Sequence, residues 1–186
     1  MSSGWAHKDW RPGAGTQVLW TLCSLLLLAL GVLGFGVLYL VSRQQLELSL
    51  GIEDAWKLLV MLAITAGLLV AHELVHGLVM RLLGARPKYG AGVLSGGIPY
   101  LYATAHGHKF TKGQYLSVAL APMVLISLVG APLVAWASFG SWLILPLAIH
   151  LSGCVGDLWI AGLVLLQPPG ALIEDRVTGI RVWPPA

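Results

Sequence analysis

Residues 56–83 read WKLLVMLAITAGLLVAHELVHGLVMRLL. Lys57 and Arg81 sit at the ends of this run, and between them the only ionisable side chains are His72, Glu73 and His76. The run is longer than the roughly 20 apolar residues that a bilayer-spanning helix needs. It therefore reads as a membrane span that carries ionisable groups inside it. Such groups cost about several kcal/mol each in hydrocarbon unless they are paired or ligated. What offsets that cost decides how the rest of the chain is read.

The composition agrees with a membrane setting. Of the 186 residues, 57% are hydrophobic and 10% charged, against about 25% charged in soluble domains. Three further apolar stretches, 17–41, 115–137 and 141–166, are each long enough to span. The expected fold is an all-α integral membrane domain with about four transmembrane helices. A small β-hairpin-like insertion is expected between helices two and three. The competing reading is a soluble bundle of buried helices. Residues 1–16 form an N-terminal cytoplasmic segment in this scheme, 17–168 the four-span membrane domain, and 169–186 a cytoplasmic tail. Lys8 and Arg11 precede an apolar run too long for a cleaved signal peptide, so an uncleaved anchor is expected. Cys23 and Cys154 both fall inside spans and offer no disulfide framework.

Loop charge sets the expected orientation. Arg81, Arg86, Lys88, Lys109 and Lys112 follow the second span with no acidic residue among them. Loop 42–55 holds Arg43 against Glu47, Glu53 and Asp54. Lys- and Arg-rich loops stay cytoplasmic, which places the central loop and both termini inside, in the plasma membrane. Nothing suggests a basic stripe for nucleic acid. Within the central loop, β-formers flank a Gly-Gly and a Pro, which predicts a hairpin with strands near 88–94 and 99–105. Non-helical backbone survives at membrane depth only where protein or water covers it.

The ionisable set inside the spans is His72, Glu73, His76, His150 and Asp157. His72 and His76 are four residues apart, so on a helix they share one face. Two imidazoles at that spacing can bind one zinc ion. Glu73 is turned about 100° from His72, which places it beside the metal rather than on it. This is the HExxH pattern of two ligands and a general base. No Lys or Arg at that depth is available to neutralise Glu73. A hydrolytic zinc site needs a third protein ligand and one open position. At the helical rise, His72 and His76 lie about 16 and 10 Å from the inner end of their span, and Asp157 about 14–15 Å from the same side. Asp157 is therefore the expected third ligand. His150 shares the Asp157 face about 10 Å further out, and is a possible accessory residue, as is the loop histidine His108. Cys154 reads as a small packing residue, and His106 as a solvated one.

HELVHG (72–77), LAP (120–122) and GCVGDLW (153–159) together resemble the zincin-type membrane peptidases, a family long catalogued only as a domain of unknown function. The layout is more distantly similar to the site-2 proteases, which cut helices within the membrane. The resemblance covers roughly residues 55–168. It implies zinc held by His72, His76 and Asp157, Glu73 as base, and an edge strand that aligns an unwound substrate. The chain departs from the site-2 pattern at Gly77, where alanine is commoner, and at Gly156 and Leu158, since there glycine usually follows the aspartate.

The expected function is zinc-dependent intramembrane hydrolysis of a peptide bond in a membrane-associated protein or peptide, with the lipid bilayer as the other partner. The alternative is a non-catalytic membrane metal-binding protein or a divalent-metal carrier. A carrier should supply a second polar span, and spans one and three are nearly devoid of ligands. A degenerate peptidase that binds helices without cutting them is the third reading, and an intact Glu73 speaks against it.

Overall fold

The computed structural model describes residues 7–43, 55–93 and 99–185. The acidic part of loop 42–55 and the tip of the central hairpin lie outside the described residues. In chain order the elements are β1 (Lys8–Trp10), α1 (Ala14–Arg43), α2 (Ala55–Leu82), β2 (Lys88–Val93), β3 (Pro99–Thr104), β4 (Lys109–Thr111), α3 (Lys112–Trp136), α4 (Ile144–Gly153), α5 (Val155–Leu165), β5 (Leu172–Arg176) and β6 (Gly179–Trp183). A 3-10 turn, Gly140–Leu143, leads into α4.

Four helical stretches are long and apolar enough to cross a membrane: Ala14–Arg43, Trp56–Leu82, Lys112–Trp136 and Gly140–Leu165. None of the apolar window of α2 is buried inside the protein, and Leu58, Leu59, Leu62 and Leu69 along it are exposed. Apolar area on that scale needs a lipid or protein cover, so the chain is a membrane protein.

The residues divide into two compact units: 1–18, 73–121 and 156–186 make one, and 19–72 with 122–155 the other. The first unit holds all the strands. The sheet expectation needs correcting here. Besides the hairpin, the chain forms a four-stranded antiparallel sheet in the order β1-β6-β5-β4. The N-terminal segment and the tail, read from sequence as plain flanks, are therefore sheet strands, and the fold is not all-α. These strands are three to five residues long; β5 and β6 are a local hairpin, but β1 and β4 find their partners far away in the chain, so local periodicity says little about them. The one local signal was GIRVW in β6, where Ile180 and Val182 point inward and alternate with Arg181. Gly179, at φ +116°, makes the tight entry from β5 that only glycine adopts without strain.

The sheet closes a core made by Met80 of α2, Phe110 of β4, Tyr115 and Val118 of α3, Val164 of α5 and Ile173 of β5. Lys112 donates to the Leu165 carbonyl at 3.1 Å, satisfying a group at the α5 C-terminus that has no intrahelical partner. The hairpin pairs Lys88 with Thr104 through Val93 with Pro99, within one residue of the expected strands. Gly90 faces Tyr102 and Gly92 faces Tyr100 across it, and each tyrosine ring covers the bare glycine.

In the second unit, Tyr39, Val134, Leu143 and Leu147 form the core. Gly31 of α1 lies so close to Ala148 of α4 that an added Cβ would be 2.9 Å from the Ala148 Cα. Ser24 donates to the Ser152 carbonyl at 3.1 Å. Small residues at a contact let membrane helices approach this closely.

The fourth apolar stretch is not one helix. It breaks at Cys154, where the backbone N–H turns back to the Leu151 carbonyl at 3.2 Å. Glycines flank the break at Gly153 and Gly156, and glycine is the weakest helix former after proline. The break puts Asp157 in the first turn of α5. The positive end of the helix dipole favours a carboxylate there.

Candidate metal centre

Helix α2 carries His72, Glu73 and His76 without interruption, so the two histidines share a face one turn apart. In the strand-bearing unit, His76 is buried, with 8% of its surface exposed. Its Nδ1 lies 2.9 Å from the Val118 carbonyl oxygen of α3 and donates to it. That bond fixes the ring tautomer and leaves Nε2 as the nitrogen that could ligate a metal. His76 Nε2 is 3.4 Å from Asp157 Oδ1. A tetrahedral zinc with bonds of about 2.0–2.2 Å holds neighbouring N and O donors about 3.3 Å apart. The donor pair therefore fits zinc, and the Val118 carbonyl plays the outer-shell part that ligating histidines require.

The motif's Gly77 has a local cause. A Cβ there would collide with the Tyr89 hydroxyl and come within 2.5 Å of the ring carbon bearing it. Tyr89 is the second residue of β2, so glycine after the second histidine lets the hairpin lie on α2.

In the other unit, His72 Nδ1 is 3.1 Å from His150 Nε2, and one ring donates to the other. Sequence reasoning had set His150 too far out to share a metal layer with His72. The break after Gly153 and the pairing of the two rings replace that depth estimate. Cys154, read as packing, lies 3.9 Å from His150 Nε2 and 4.0 Å from His72 Nδ1. These three residues offer donor atoms that all lie within 4.8 Å of one another. His108 packs its ring on Phe110 at 4.5 Å, and no candidate ligand set among the described residues includes it.

A buried pair that sequence reasoning missed lies beside this chemistry. Tyr115 donates to Asp175 Oδ1 at 2.6 Å, and both side chains are buried. Burial pushes the Asp175 carboxyl above the usual range, against the lowering effect of the hydrogen bonds from Tyr115 and Thr104. Nearby, Glu174 accepts from the Gly107 N–H at 3.0 Å and from Trp183 Nε1 at 3.3 Å. Nothing local in LIEDR marks either acid as buried.

Neither a curated protein nor a solved structure matches the chain. A family model does: the one described as "Putative zincin peptidase" matches residues 65–172, more than half of the sequence. That span contains the HELVH helix turn, the hairpin, the Val118 carbonyl and Asp157. The chain belongs to the zincin peptidase family.

Proposed function

We propose that the protein is an intramembrane zinc peptidase in which His72, His76 and Asp157 hold the metal and Glu73 is the general base. The observation that carries this reading is the 3.4 Å approach of His76 Nε2 to Asp157 Oδ1, on the helix turn that also presents His72 and Glu73. Zinc, when bound, supplies a Lewis acid and makes water acidic enough to lose a proton near pH 7.

The chain's own groups do the rest. Glu73 takes the proton of the attacking water and returns it to the leaving amine. The Val118 carbonyl holds His76 in one tautomer. A helical substrate hides its carbonyls in hydrogen bonds, so it must be extended before attack. The hairpin supports this step: among the described residues β2 and β3 pair only with each other, which leaves each with an outer edge that can add a strand of substrate. The cationic loop between α2 and α3 argues for a cytoplasmic hairpin and cytoplasmic termini.

The test uses purified protein in lipid nanodiscs with a membrane-anchored peptide substrate. Glu73→Gln should keep its zinc and lose about 10²–10⁴-fold in cleavage, the usual worth of a general base. Cleavage at the wild-type rate by Glu73→Gln would remove the base. Zinc uptake into vesicles, with no cleavage by wild type, would move the protein to the carrier class.

A further inference from the structure

Cys154 and His150 are almost wholly enclosed, at 0% and 2% exposure, inside an apolar helical unit. The peptidase chemistry uses neither. They lie one turn apart where α4 ends, and they converge with His72 of α2. The three donor separations are 3.1 Å from His72 Nδ1 to His150 Nε2, 3.9 Å from His150 Nε2 to Cys154 Sγ, and 4.0 Å from His72 Nδ1 to Cys154 Sγ. A tetrahedral ion with metal–nitrogen bonds of about 2.0–2.1 Å and a metal–sulfur bond of about 2.3 Å sets N–N edges of about 3.3 Å and N–S edges of about 3.5 Å. All three observed edges lie within about half an ångström of that figure. An ion would also offset the cost of placing two imidazoles and a thiol in an apolar interior.

From this geometry we infer that His72 Nδ1, His150 Nε2 and Cys154 Sγ form a second metal site, selective for thiophilic divalent ions such as zinc, cobalt and cadmium. Thiolate and imidazole ligands prefer these ions to magnesium or calcium. Binding converts the Cys154 thiol to a thiolate and releases its proton to solvent. In the metal-free state that thiol donates to the His150 carbonyl at 3.3 Å. The ion therefore replaces that weak hydrogen bond together with the one between the His72 and His150 rings. His72 is offered through Nδ1 here and is also a ligand in the proposed zinc centre, so the two sites share one ring. An ion held on Nδ1 competes for that ring, which makes the second site inhibitory. The metal site itself rests on its own three donors and does not need the peptidase reading; only the inhibitory role does.

The experiment titrates cobalt(II) into metal-stripped full-length protein in nanodiscs and records near-ultraviolet absorption. Only a cysteine ligand produces thiolate-to-cobalt charge transfer. Wild type and Cys23→Ser should develop the band at one equivalent, and Cys154→Ser should not. Asp157→Ala should keep it, which separates this site from the proposed catalytic one. His150→Gln leaves the thiol in place and should weaken cobalt binding by at least tenfold, covering the case in which Cys154→Ser fails to fold. Absence of the band in saturated wild type overturns the site, as does its persistence in Cys154→Ser. Loss of the band in Asp157→Ala with the fold intact also overturns it, because the thiol would then belong to the other centre.

Discussion

Gly77 and Tyr89 are packed so tightly that a methyl group on the Gly77 Cα would strike the phenol oxygen. The contact joins the His72–His76 turn of α2 to the first strand of the hairpin. Tyr89 is 52% exposed, so its ring can swing away. Alanine at position 77 would also gain about 1 kcal/mol of helix propensity. Gly77→Ala is therefore expected to change global stability by less than about 1 kcal/mol while loosening the hairpin. Hydrogen exchange should read faster amide exchange in β2 and unchanged exchange in the α2 interior. Equal protection in both proteins would show that Tyr89 does not anchor the hairpin.

Asp157 Oδ1 lies 3.4 Å from His76 Nε2, so in the proposed zinc centre its loss would remove a ligand outright. Asp157→Ala should lower zinc affinity by more than the ~10–100-fold that outer-shell changes cost. In wild type, zinc at 100 times its dissociation constant should raise stability by about 2.7 kcal/mol, and a chelator should reverse the gain. Calorimetry with and without zinc gives both numbers. Unchanged affinity in the variant would remove Asp157 from the centre.

Gly31 touches the Ala148 backbone, which cannot rotate aside as a tyrosine can. Gly31→Leu should destabilise the membrane helices by about 1–3 kcal/mol, the usual range for overpacking. Gly34→Ala is the control, because a Cβ at Gly34 meets nothing within 4 Å. Equal unfolding midpoints for the two variants in a mixed-micelle titration would contradict the close approach.

Asp175 gives the fold a pH dependence. Its folded-state pKa is raised by burial, so folding favours the protonated carboxyl. The stability it contributes is complete below the unfolded value of 3.8 and is lost as pH rises through the folded value. Asp175→Asn keeps an acceptor for Tyr115 and should flatten the stability profile above pH 3.8. Tyr115→Phe takes a donor from a buried carboxylate and should cost about 1–3 kcal/mol at neutral pH. Parallel profiles for wild type and Asp175→Asn would place the titration elsewhere.

The spans and the HExxH turn were legible because lipid enforces local rules. A helix must be apolar along its whole length, and an i, i+4 pair faces one way whatever surrounds it. Asp157 could be nominated by depth alone, because few ionisable groups lie within the spans. The hairpin was legible because its strands are neighbours in the chain. The four-stranded order β1-β6-β5-β4 was not: its β5-β6 hairpin is local, but Lys8 pairs with Val182 and Lys109 with Glu174 from distant parts of the chain. The Asp175 environment was hidden for the same reason.

The amino-acid order alone pointed to the membrane class, the candidate metal-binding turn and its base candidate, because each depends on neighbours within a few residues. Folding in three dimensions decided that Cys154 and His150 meet His72 and that Lys8–Trp10 and Gly179–Trp183 join one sheet. Those outcomes depend on packing between segments distant in sequence, where no local pattern carries the information.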